Sequence, residues 1–171
     1  MSCMVEALEQ WIEQTNQYHE DKRLSCTCLL EKLNGFYSLD FLQNSYFVIV
    51  PVIPMPDRSE LRQLGLDDLL NKELNAFTYK NTYYILPHVA LDINTHFHEL
   101  VRVAQWQHFG TTGFLERYIT EIQCFGCLNA PLRKVATGLS KHFLNQGCSF
   151  DVPTLVSHPN NLDDPLITQV G

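Results

Sequence analysis

HFHELVRVAQWQHFG, residues 96–110, is the stretch on which the reading of this chain turns. Its apolar residues recur at helical spacing: at about 100° per residue, Ile93, Phe97, Leu100, Val101 and Ala104 gather into one stripe. His98, Arg102 and Gln105 gather into a second, narrower one. The spacing predicts a helix with a core face and a separate polar face. That polar face is edged by Trp106 and Phe109, large side chains that argue for cover by the rest of the protein. His96 points nearly opposite His98, beside Val103.

His98-Glu99-Leu100-Val101-Arg102 is HExxH with arginine at its fifth position. In the intact motif two histidines at i and i+4 share a helix face and bind zinc, and the glutamate is general base for a metal-bound water. Arg102 cannot replace the second histidine, because its guanidinium stays protonated and has no lone pair to offer a metal. His96, on the far side of the helix, cannot replace it either.

Working outward, Ala76–Tyr79 and Thr82–Leu86 flank Lys80-Asn81 and predict a hairpin immediately before the helix. Tyr46–Val50 is a continuous β-branched and aromatic run closed by Pro51 and Pro54, the pattern of a buried strand. Met4, Leu8, Trp11 and Ile12 predict an amphipathic helix over about residues 4–19, and Leu24–Leu33 predicts a second, stopped at Asn34-Gly35. Between Asp57 and Asn71 the pattern gives one or two helical turns broken at Gly65. After Gly110, Thr112 is the expected N-cap of a helix carrying Phe114, Leu115, Tyr118, Ile119 and Ile122. Pro131 suits the first position of another, with a stripe of Leu132, Val135, Ala136, Leu139 and Phe143. The expected fold class is α+β, mainly helical, with a small sheet packed on the HExxR helix. Residues 1–147 form a single domain in this reading, and residues 148–171, with three prolines and no period, an extended tail.

The 171 residues are 45% hydrophobic and 18% charged, ordinary for a globular domain with its own core. The formal net charge of −7 gives no electrostatic footprint for nucleic acid or an anionic membrane surface. No segment approaches the ~18 consecutive apolar residues of a membrane helix, and the acidic first turns do not resemble a secretory signal. The expectation is a cytoplasmic protein whose six cysteines are reduced thiols. Cys26-Thr-Cys28 and Cys124-Phe-Gly-Cys127, with Cys148, match no strong cysteine zinc pattern.

The hairpin FTYKNTYYI, the run HELVRVAQW, the following FLERYITEI and the segment NAPLRKVA together resemble a group of small bacterial zincin-like proteins, minimal gluzincins. The resemblance spans about residues 36–143 and is most specific in HELVRVAQW. It implies a zincin-like fold in which His98 takes the place of the first zinc ligand, Glu99 that of the general base and Arg102 that of the second ligand. The third, a glutamate in the family, falls at Val135 or, with PLRKVA placed differently, at Arg133. Only His98 of the implied ligands can bind a metal, so no metal is expected.

Three function classes follow. The first is a metal-free, catalytically inactive relative of zinc metallopeptidases that keeps the cleft for a peptide or protein partner, with His98, Glu99, Arg102, Gln105 and Val135 as a vestigial site. The second is a zinc-dependent peptidase with a rewired site, in which His96, His108, His142 or the cysteines supply ligands and Glu99 is the catalytic base. The third is a structural or interaction protein with the cleft closed. Tyr79, Tyr83, Tyr84 and Tyr118 are expected as packing residues, although a tyrosine beside such a helix can stabilise an oxyanion. Arg102 is expected to fill the cation's place itself and to pair with Glu99 at i+3, worth only about 0.2–0.5 kcal/mol if exposed. In a covered pocket, stripping Glu99 of this partner would cost roughly 3–5 kcal/mol.

Overall fold

A computed structural model describes residues 2–70 and 72–158. The fold is α+β and mainly helical, with one four-stranded mixed sheet. Strands β1 (Leu24–Ser25), β2 (Tyr46–Ile49), β3 (Ala76–Tyr79) and β4 (Thr82–Ile85) lie in the order β1-β2-β4-β3. β2 and β4 run parallel, with Phe47 opposite Tyr83, while β1 and β3 are antiparallel edges. β3 and β4 form the expected hairpin, and Lys80 takes the positive φ (63°) that its tight turn requires.

Side-chain alternation in this sheet separates two cores. Tyr84, Val48 and Tyr79 join Val5, Leu8 and Ile12 of α1 (Ser2–Tyr18) and the apolar stripe of α6 (Thr111–Phe125). Tyr83, Ile85 and Phe47 face the other way, onto Phe97, Leu100, Val101 and Ala104 of α5 (Ile93–Phe109) and onto Val135, Ala136 and Leu139 of α7 (Pro131–Leu144). α2 (Leu39–Gln43) extends this second core, whereas α3 (Arg58–Gln63) and α4 (Asp67–Leu70) close the first. α5 starts where Asp92 accepts hydrogen bonds from the amides of Asn94 and Thr95, and it stops at Gly110, whose φ of 70° breaks the helical path. Its apolar stripe is the expected one.

Three local expectations are corrected. Leu24–Leu33 is not a helix: Leu24 and Ser25 pair with Phe47 and Tyr46, and only a 3-10 turn over Cys26–Leu29 follows. The Cys26 amide is taken by the Ser45 carbonyl, so tertiary pairing outweighs an apolar period carried partly by cysteine and threonine, which are indifferent helix formers. Thr112 does not cap α6; Gly110 stands at the N-cap, and the Thr112 hydroxyl donates instead to Glu9 of α1. Nor is the segment from residue 148 wholly extended. A short helix, α8 (Val152–Ser157), is capped by Asp151 and docked by the Val152 amide on the Phe36 carbonyl, beside the aromatic group of Phe36, Phe97, Phe143 and Phe150. The rest of the expected tail, residues 159–171, lies outside the described residues. No helix among the described residues is long and apolar enough to cross a membrane.

Candidate functional site

The polar face of α5 looks onto a cleft of about 290 Å³ between β3 and the start of α7. His98, Glu99 and Arg102 form its α5 wall, with Asn94 and Thr95 one turn earlier; Ala76, Phe77 and Thr78 form the β3 wall; Tyr118, Arg133 and Ser140 close it. Of the five vestigial-site residues expected from the sequence, three therefore share this cleft. Gln105 lies behind it, and Val135 packs in the second core. Of the two positions considered for the third ligand, Arg133 is the one on the cleft.

Thr78 follows from strand alternation, since it stands opposite Tyr83 and so points at α5. Its hydroxyl donates to Glu99 Oε2 at 2.6 Å. Burial raises the Glu99 carboxyl above its ordinary value, opposed by this hydrogen bond and by the charges of Arg102 and Arg133. His98 is pushed the other way, down to about 3, by burial first and then by the same two arginines. It is a neutral imidazole near pH 7.

Arg102 is only 8% exposed, and it does not pair with Glu99 as expected: among the described residues it has no carboxylate within the 4.0 Å of an ion pair. Its guanidinium lies over the rings of Phe114 (5.3 Å) and Tyr118 (5.1 Å) and donates from Nη1 to Gln105 Oε1 at 3.0 Å. Gln105 is pinned in turn, its amide donating to the Leu132 carbonyl at 2.9 Å. Helix geometry explains the choice: at i+3, Gln105 continues the polar stripe, whereas Glu99 is turned toward β3 and engaged by Thr78.

The other histidines do not reach the cleft. His96 donates from Nε2 to the Ala90 carbonyl (2.8 Å) and accepts from the Tyr83 hydroxyl at Nδ1 (2.5 Å). His108 is exposed near the end of α5, and His142 bonds the Cys148 carbonyl. Among the described residues no group of three or more His, Cys, Asp or Glu side chains could hold a metal ion. Beside His98 the cleft carries the guanidiniums of Arg102 and Arg133, neither of which has a lone pair to offer a metal.

Tyr79, Tyr83 and Tyr84 are packing residues whose hydroxyls go to Pro54, His96 and Asn16. Tyr118 is different, because it lines the cleft. Two further lining residues had no sequence signal: Asn94, whose Oδ1 is buried without a donor, and Ser140. A wider surface depression of about 640 Å³ lies between α1, the hairpin turn and the end of α5, but its Lys80 and Glu13 already neutralise each other.

No family model matches this chain, and no curated protein or solved structure matches it significantly.

Proposed function

We propose that this protein is a metal-free, catalytically inactive relative of zinc metallopeptidases, which uses the cleft between α5 and β3 to bind an extended peptide or a segment of a partner protein. The observation that carries the reading is Arg102: a nearly buried guanidinium at the second-ligand position of an otherwise intact HELxR helix. A fixed cation there repels a metal dication and raises the cost of protonating His98.

The β3 wall supports a peptide as the occupant. The Leu86 amide donates to the Asn75 carbonyl, so residues 75, 77 and 79 turn their backbone groups toward β4 while Ala76 and Thr78 turn theirs outward. An open edge of that kind pairs with an extended chain. The open volume beside it weighs against the closed-cleft reading, and the tethering of His96 and His142 weighs against a rewired metal site.

The test is metal content of the purified, untagged chain by mass spectrometry, beside an Arg102→His, Arg133→Glu double variant that restores two ligand types on the cleft wall. The expected result is no stoichiometric zinc in the native chain and about one equivalent in the variant. Zinc bound by the native chain would overturn the proposal, and peptidase assays with Glu99→Gln as control would then follow.

A further inference from the structure

The cleft holds two guanidiniums, Arg102 and Arg133, that no carboxylate of the described residues pairs with. Arg102 carries a fixed positive charge, is 8% exposed, and has among the described residues a single hydrogen bond, to a neutral amide. Arg133, half-buried on the opposite wall, donates among the described residues only to the Cys127 sulfur at 3.4 Å. Among the described residues the Tyr118 hydroxyl and the His98 ring have no hydrogen-bond partner, and neither is sealed from the cleft. Burying a guanidinium without a counter-charge is costly, and a ligand that supplies the opposite charge offsets that cost.

We propose that the cleft takes a carboxylate, held by the Arg102 fork with Arg133 and Tyr118, and that the carboxylate is the C-terminus of an extended peptide; this rests on the peptide-binding reading and names the group recognised. The guanidinium presents paired N–H groups in one plane, the complement of a carboxylate's two oxygens. A phosphate dianion fits less well, because Glu99 and, at the rim, Glu73 also face the cleft and oppose a second negative charge.

Length argues for a chain rather than a lone anion. From Arg102 back to Asn94 is eight residues of helix, about 12 Å at 1.5 Å per residue. That is the reach of about three to four extended residues. Between Asn94 and Arg102 the outward backbone groups of Ala76 and Thr78 lie alongside. One peptide with its terminus at Arg102 answers both the unpaired guanidinium and the open strand edge.

The experiment is titration calorimetry of the full chain with acetyl-tetra-alanine as the free acid, the same peptide as its C-terminal amide, and acetate, each to millimolar concentration. The free acid is expected to bind at least tenfold more tightly than the amide and than acetate. Arg102→Gln and Arg133→Gln should each remove at least fivefold of that preference. The second substitution is at a half-buried wall position and keeps the test valid should the first fail to fold. Equal binding of acid and amide would overturn the carboxylate while leaving the peptide site standing. Arg102-dependent binding of acetate as tight as that of the acid peptide would support the carboxylate and overturn the peptide. No heat with any of the three would overturn the inference.

Discussion

His96 and His98 lie two residues apart on α5 and face opposite worlds. His96, 2% exposed, has both ring nitrogens engaged, and its ring packs edge-on against Phe47 at 4.9 Å. The tautomer is fixed because a carbonyl can only accept, so Nε2 carries the proton and Nδ1 receives the Tyr83 hydroxyl, itself approached by the Cys26 thiol. His98 has no such partners and stands beside two arginines. On the His96 side both ring nitrogens are spoken for, which is how a polar residue is made part of a core. On the other side the two arginines stand without a paired carboxylate among the described residues, which leaves them to a ligand.

The contrast predicts very different responses to substitution. The largest is expected at His96→Ala, which opens a cavity and orphans both the Tyr83 hydroxyl and the Ala90 carbonyl; a loss of about 3 kcal/mol in urea unfolding is expected. A loss below about 1 kcal/mol would remove the distinction between the two faces.

Arg102→Met should move stability the opposite way. Methionine keeps contact with the Phe114 and Tyr118 rings and removes a buried charge without a counter-ion, so a gain of about 1–3 kcal/mol is expected, with carboxylate binding lost. A protein made more stable and less able to bind by the same change identifies a residue retained for function. If Arg102→Met instead destabilises the fold by a similar amount, the arginine is a structural cation and the cleft loses its principal argument.

A smaller effect is expected at Thr78→Val. The hydroxyl makes a 2.6 Å bond to the Glu99 carboxyl, and its loss should cost about 1 kcal/mol while moving the Glu99 titration still further upward. Titration of Glu99 by carbon-detected NMR in both proteins checks this, and an unchanged midpoint would mean that Thr78 does not tune the carboxyl.

Much of this arrangement is legible in the sequence. The stripe Phe97, Leu100, Val101, Ala104 lies on the core face, the hairpin falls on Ala76–Tyr79 and Thr82–Ile85, and the separation of His98 and Arg102 from His96 follows from 3.6 residues per turn. These features are periodic and local. What stays illegible depends on chain segments distant in sequence. Leu24 and Ser25 become a strand only because Phe47 and Tyr46 are there to pair, and α8 is a six-residue helix that exists by docking on Phe36. In the site, Arg102 and Glu99 satisfy the spacing for an ion pair, yet Thr78 on β3 holds Glu99 and Gln105 holds Arg102. Tyr118, Arg133 and Asn94 come to one cleft from α6, α7 and the first turn of α5, a convergence that no spacing rule contains.

The finest test of the two faces is His98→Gln, because it changes little near pH 7 and should alter how stability depends on pH. In the folded protein His98 titrates at about 3 against an ordinary value of 6.5, so on acidification the unfolded chain takes up a proton that the folded chain refuses. Stability must therefore fall as the pH falls between those two values, and it is fully recovered above the upper one. Glutamine does not titrate, so the variant should lose less stability than the native protein between pH 7 and pH 4.5, measured as urea midpoints. Glu99 works in the opposite sense: its raised carboxyl favours the folded state at low pH, and the same residue is present in both proteins, so it cancels from the comparison. Equal losses in the two proteins would mean that burial and the charges of Arg102 and Arg133 do not hold the proton off His98 in the folded state.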